Sequence, residues 1–169
     1  MLKILALDLG TKTGVARNFG LPPLETTWEL STATEVTKWG KQRLTRRCDP
    51  RIGRLYQRLM AEYGQAWPDL IVFEDVEFST YTKQTQLWAS FRTVVWLASV
   101  VMGAATECVP VTTLKKFATG SGAADKVAMR RALFTQFPYV YSVGLDDNAI
   151  DALWVLKWAE KNLSRMVFT

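Results

Sequence analysis

Histidine is absent from this 169-residue chain. Every mechanism that needs an imidazole base or an imidazole metal ligand is therefore excluded, and acid–base or metal chemistry must run on carboxylates and lysines. Cysteine occurs at Cys48 and Cys108 alone, too few for a disulfide framework and without metal-ligand spacing. A reducing, cytoplasmic compartment is expected. Long apolar runs are missing too: the longest, residues 93–106, falls short of the ~20 residues that cross a bilayer and reads as a core helix. The opening Met1-Leu2-Lys3-Ile4-Leu5-Ala6-Leu7-Asp8 is not expected to be a signal peptide, because an acid interrupts its short apolar run. Internal repeats, linkers and low-complexity tracts are lacking, so a single domain over residues 1–169 is the expected parse. Acids are the minority charge. With 21 Lys and Arg against 16 Asp and Glu, the formal charge is +5 and the pI near 9.3, which suits a polyanionic partner without requiring one.

What is present is a series of short apolar runs broken by turn residues. Residues 2–9, 14–19 and 24–30 read as strands, separated by the Gly10-Thr11-Lys12-Thr13-Gly14 turn and by Gly20-Leu21-Pro22-Pro23. An antiparallel meander is expected from them. Residues 34–65 turn helical and strongly basic, with Lys38, Lys41, Arg43, Arg46, Arg47, Arg51, Arg54 and Arg58. Asp49-Pro50 should bend or restart that helix, since a residue before proline avoids helical torsions. Residues 70–74 form a fourth strand buried on both faces, residues 82–105 a long helix, and residues 108–111 a short fifth strand. Thr112 or Thr113 is expected to cap the helix carrying Leu114-Lys115-Lys116-Phe117. Helices over residues 123–137 and 148–163 complete the chain.

The carboxylates stand at telling places in this framework. Asp8 lies near the end of the first strand and Glu74 at the end of the fourth, while Asp147 and Asp151 sit four apart on one face of the last helix. Grouped acids repel unless a cation is present, and burying their charge costs several kcal/mol. Mg²⁺ prefers such hard oxygen ligands, and two ions ~3.5–4 Å apart can activate a water and stabilise a leaving oxyanion. Taken singly, each acid has a structural alternative. Asp8 also fits a cap on the glycine turn, Glu74 an exposed strand end, and Asp146 and Asp147 ordinary helix-start acids. Asp151 is harder to explain structurally, lying among Ile150, Ala152 and Leu153.

Four blocks, in order, resemble the RuvC family of Holliday-junction resolvases within the ribonuclease H-like superfamily. They are Ile4-Leu5-Ala6-Leu7-Asp8-Leu9-Gly10-Thr11-Lys12-Thr13-Gly14-Val15-Ala16, then Ile71-Val72-Phe73-Glu74, then residues 114–126 with Lys115 and Lys126 flanking Gly120-Ser121-Gly122, and lastly Asp146-Asp147-Asn148-Ala149-Ile150-Asp151-Ala152-Leu153. The resemblance implies an α/β, ribonuclease H-like fold: a mixed five-stranded sheet, antiparallel over its first three strands and then parallel, flanked by helices. It implies an Mg²⁺-dependent endonuclease, with Mn²⁺ as a substitute and two ions per site, cutting four-way or other branched DNA to 5′-phosphate and 3′-hydroxyl ends. Asp8, Glu74, Asp147 and Asp151 would be the metal ligands, and Lys115 and Lys126 would approach the scissile phosphate. Some members carry aspartate or histidine where this chain has Asn148, so Asp147 and Asn148 both stand as candidates for the third ligand.

The resemblance further implies a homodimer that matches the symmetry of a junction. Trp88, Phe91, Val94, Val95, Trp96, Val100 and Val101 make the long helix apolar around much of its circumference. Its surplus serves either a dimer interface or burial within one subunit. Lys12, Arg43, Arg46, Arg47, Lys83 and Lys116 are expected phosphate contacts. Phe78 and Tyr81 are candidates for an aromatic wedge or for packing under the helix. No membrane, haem or nucleotide cofactor is expected. The compact form resembles phage-encoded members. Three other readings stay open: a related nuclease on other branched DNA or RNA, a catalytically dead DNA-binding module, and an actin-like kinase or ATPase whose phosphate loop resembles Asp8-Leu9-Gly10-Thr11. The last lacks its second Asp-Gly-Gly loop here.

Overall fold

In the computed structural model, residues 1–20, 24–33, 35, 49–62, 67–75 and 82–163 are described. β1 (Ile4–Asp8) lies at the middle of a sheet ordered β3-β2-β1-β4-β5, made with β2 (Lys12–Arg17), β3 (Leu24–Glu29), β4 (Leu70–Asp75) and β5 (Ala105–Pro110). β1–β2 and β2–β3 pair antiparallel, whereas β1–β4 and β4–β5 pair parallel. The expected mixed, ribonuclease H-like sheet is what the chain forms.

Side-chain alternation along β1 explains the layers. Leu5 and Leu7 point to one face, where they meet Ile71, Phe73, Leu55 and Leu59 of α1 (Pro50–Glu62), and Phe91, Val95 and Ala98 of α2 (Thr82–Met102). Ile4 and Ala6 point to the other, joining Leu70, Val72 and the apolar sides of α3 (Val111–Thr119), α4 (Lys126–Gln136) and α5 (Asp147–Asn162). Helices thus cover both faces, which is why β1 and β4 read as continuous apolar runs. On the second face Trp154 is fully buried, meets Phe117 and Phe137 edge to face, and donates its indole N–H to the Met129 carbonyl at 3.1 Å. That bond satisfies the indole while tying α5 to α4.

Several boundaries depart from expectation, each for a local reason. α2 stops at Met102, because Gly103 adopts a left-handed φ of 67°. β5 therefore starts at Ala105 and ends at Pro110, earlier than residues 108–111. Neither Thr112 nor Thr113 caps α3. The helix begins at Val111, directly after Pro110, which sits at the cap in an extended conformation with no side-chain bond. α4 begins at Lys126 rather than residue 123, capped by Asp125, which accepts the Ala128 N–H. A 3₁₀ turn over Pro138–Val143 was not foreseen. α1 restarts at Pro50, as the Asp49-Pro50 pair suggested; residues 36–48 of the basic run lie outside the described residues.

Candidate functional site

The sheet register brings the first two acids together. Leu7 pairs with Phe73 across the parallel β1–β4 ladder, so Asp8, the last residue of β1, and Glu74, the last but one of β4, stand side by side one residue further on. By alternation both follow Ile4, Ala6, Leu70 and Val72 onto the face covered by α5. Gly14, the partner of Asp8 on β2, allows α5 to reach them: a Cβ there would overlap the backbone carbonyl of Asn148. The start of α5 is thereby pressed onto the sheet, and Asp151 follows one turn later.

α5 owes its position partly to Asp146, which the sequence left as an ordinary helix-start acid. It caps the helix by accepting the Ala149 N–H at 2.9 Å, and Thr27 of β3 donates its hydroxyl to the same carboxylate at 2.6 Å. Burial alone would raise its pKa, but these bonds and others from Asn148 outweigh it and hold the group below the usual aspartate range. Asn148 is thus engaged with the cap.

Asp8, Glu74 and Asp151 feel one another. Burial first, then the charges of Glu74, Asp151 and Asp146, push Asp8 up to about 8 against the opposing pull of Lys126. Glu74 is pushed up to about 7 by burial and by Asp151, opposed by Lys115 and Lys126. Asp151 rises to about 6, with burial leading, Lys126 and Lys115 pulling down and Asp147 pushing up. Lys126 Nζ stands 3.9 Å from Asp151. Three acids and two lysines, drawn from β1, β4, α3, α4 and α5, therefore form one electrostatic unit. Among the described residues no three acids are gathered tightly enough to enclose a cation as they stand. The donor set nonetheless fits a hard divalent ion, being all carboxylate oxygen, largely buried and mutually repelling.

Asp147 lies beside this unit, close enough to raise Asp151, and the remaining expected residues lie elsewhere. Asp147 accepts a hydrogen bond from Arg130 at 2.6 Å. Lys12 pairs with Glu29 on the exposed side of the β2–β3 ladder. Lys116 is exposed on α3. The backbone of Lys83 opens α2, its side chain lying outside the description, as do Arg43, Arg46, Arg47, Phe78 and Tyr81. Arg54 of the basic run is committed within the fold, bonding Glu35 and the Leu30 carbonyl, each at 2.7 Å. Two charged groups near the site escaped the sequence. Asp75 alternates to the opposite face from Glu74 and pairs with Arg92 of α2 at 3.0 Å, and Arg130 is described above. The signal for Arg130 was available in principle: Lys126 and Arg130 are four apart, as are Asp147 and Asp151.

No family model and no curated protein sequence matches the chain. The fold is ribonuclease H-like, a class defined here by the central sheet and its acid-tipped strands. The chain's fold is similar to those of solved Holliday junction resolvases. T. thermophilus RuvC in complex with Holliday junction substrate superposes with a TM-score of 0.66 at 17% identity, over 92% of this chain and 90% of that one. A second Thermus thermophilus RuvC structure gives 0.60 at 12% identity, over 95% and 96%. The yeast mitochondrial Holliday junction resolvase Ydc2 gives 0.58 at 11% identity, over 91% of this chain and 75% of that one.

Proposed function

We propose that the chain is a structure-specific endodeoxyribonuclease that resolves four-way DNA junctions with Mg²⁺, for which Mn²⁺ can substitute, held by Asp8, Glu74 and Asp151. The observation that carries this reading is the electrostatic union of those three acids with Lys115 and Lys126 at one end of a RuvC-type sheet. A bound divalent cation pair supplies an activated water and stabilises the leaving oxyanion. The protein's own part is to hold and orient. β1 and β4 carry Asp8 and Glu74 at neighbouring positions of the sheet, and Asp151 on α5 would complete the set around a cation. Lys126 and Lys115 place mobile point charges where negative charge accumulates on the phosphate under attack. A synthetic four-way junction should be nicked in symmetric pairs, leaving 5′-phosphate ends, with Mg²⁺ and not without it. Flap and RNA substrates cut as fast as the junction would overturn the assignment.

The pH dependence of stability has a definite sign. The folded protein retains protons on these acids that the unfolded chain releases above about pH 4. Their contribution to stability is therefore present at low pH and is lost as pH rises through 6, 7 and 8, the values for Asp151, Glu74 and Asp8. Thermal denaturation of the cation-free protein should show its midpoint falling between pH 5 and pH 8.5, and saturating Mg²⁺ should remove most of the fall. A midpoint insensitive to both would count against a shared cation site.

The reading includes a homodimer. Trp96, Leu97, Val100 and Val101 leave an apolar stripe on the outer side of α2, with Val100 80% exposed, and such a stripe suits a two-fold contact. Val100→Glu should convert a dimer to monomer in sedimentation; an unchanged dimer moves the interface elsewhere. No helix among the described residues is long and apolar enough to cross a membrane.

A further inference from the structure

α4 and α5 are joined by two charge pairs that repeat with the helical period. Lys126 faces Asp151 at 3.9 Å, and Arg130, one turn along α4, donates to Asp147 at 2.6 Å, one turn back along α5. The two rungs form an antiparallel ladder, because residues four apart share a helix face. Arg130 is also held from its other side, its guanidinium lying 5.9 Å over the Phe134 ring.

We infer that Arg130 is a positioning residue and Asp147 its latch rather than a cation ligand: together they set the rotation of α4 so that Lys126 stands over Asp151. The inference rests on the nuclease reading above. Three observations support it. The Asp147 carboxylate accepts from Arg130 at 2.6 Å, while one turn further on the Asp151 carboxylate faces Lys126 at 3.9 Å. The buried Trp154–Met129 bond ties α4 to α5 on the core side, leaving the rotation of its outer side to the ladder. Arg130 and Asp147 are both about two-fifths exposed or more, and exposed ion pairs contribute little to global stability. What such a pair can control is the placement of a neighbouring charge, and displacement of a catalytic group by about 1 Å costs rate steeply.

The test compares Arg130→Met, Asp147→Asn, the double variant, Arg130→Lys and the exchanged pair Arg130→Asp with Asp147→Arg. Junction cleavage under single-turnover conditions, Mn²⁺ affinity by calorimetry and thermal midpoints are measured for each. Arg130→Met and Asp147→Asn should each slow cleavage about tenfold with substrate affinity and Mn²⁺ affinity unchanged. The double variant should be no slower than either single one, and Arg130→Lys and the exchanged pair should recover much of the rate. Thermal midpoints should barely move. A tenfold loss of Mn²⁺ affinity in Asp147→Asn alone would make Asp147 a ligand and overturn the inference. Weakened junction binding in Arg130→Met at an unchanged cleavage rate would make Arg130 a phosphate contact and overturn it equally. Failure of the nuclease reading looks different: the wild-type protein itself would cut no junction.

Discussion

Asp8→Asn should bind a four-way junction as the wild type does and cut it at least about a thousandfold more slowly in Mg²⁺, since a carboxylate that would hold the catalytic cation is lost. The same substitution should stabilise the cation-free protein. Asp8 lies at the buried end of the central strand, with Glu74 and Asp151 beside it, and its carboxyl keeps its proton up to about pH 8. At pH 8.5 the folded state must either carry that charge or hold a proton against the solution, at a cost on the order of a few kcal/mol. An amide of the same shape escapes this cost. Loss of cleavage accompanied by a higher thermal midpoint is a signature that misfolding cannot produce. An Asp8→Asn protein that cuts at the normal rate would remove Asp8 from the chemistry.

Gly14→Ala should be the most damaging glycine-to-alanine substitution among the described residues. The new Cβ would overlap the Asn148 carbonyl, a backbone atom at the first turn of α5 that no rotamer change can move. Either β2 or α5 must shift, and overpacking of this kind costs about 3 kcal/mol or more, or roughly 6–12 °C in thermal midpoint for a chain of this size. Protein that still folds should have its helix start lifted from the sheet, carrying Asp151 away from Asp8 and Glu74, and should cleave poorly. Gly53→Ala is the matched control. It lies in α1 with nothing within 4 Å of the added carbon, and an alanine there should stabilise the helix by about 0.5–1 kcal/mol. Equal effects at the two sites would mean that α5 does not depend on this close approach.

The strands that carry Asp8 and Glu74 were legible because each is a short apolar run ending in an acid, a pattern in which burial and charge conflict openly. Parallel pairing of β1 with β4 then follows from burial on both faces, and the register makes the two acids neighbours. Lys115 and Lys126 were legible through the glycine turn between them. The start of β5 was not, since Gly103 ends α2 by adopting a left-handed torsion that an apolar stretch conceals. The cap of α3 misled because threonine is a good capping residue, yet strand β5 runs straight into the helix at Pro110. Least legible were pairs made by packing. Arg130 reaches Asp147 across 17 residues and Arg92 reaches Asp75 across as many, and neither partner can be chosen before the helices are placed. The choice between Asp147 and Asn148 has the same origin, since it turns on contacts made by packing, which run to Arg130 and to the Asp146 cap.

Calorimetric titration of Mg²⁺ at pH 7, repeated in buffers of different ionisation enthalpy, tests most directly whether acids from β1, β4 and α5 share one cation site. Wild-type protein should release protons on binding, because Asp8 and Glu74 hold them at this pH, and Asp8→Asn should bind more weakly and release fewer. Binding of undiminished strength with the same proton count in Asp8→Asn would show that the cation sits somewhere else.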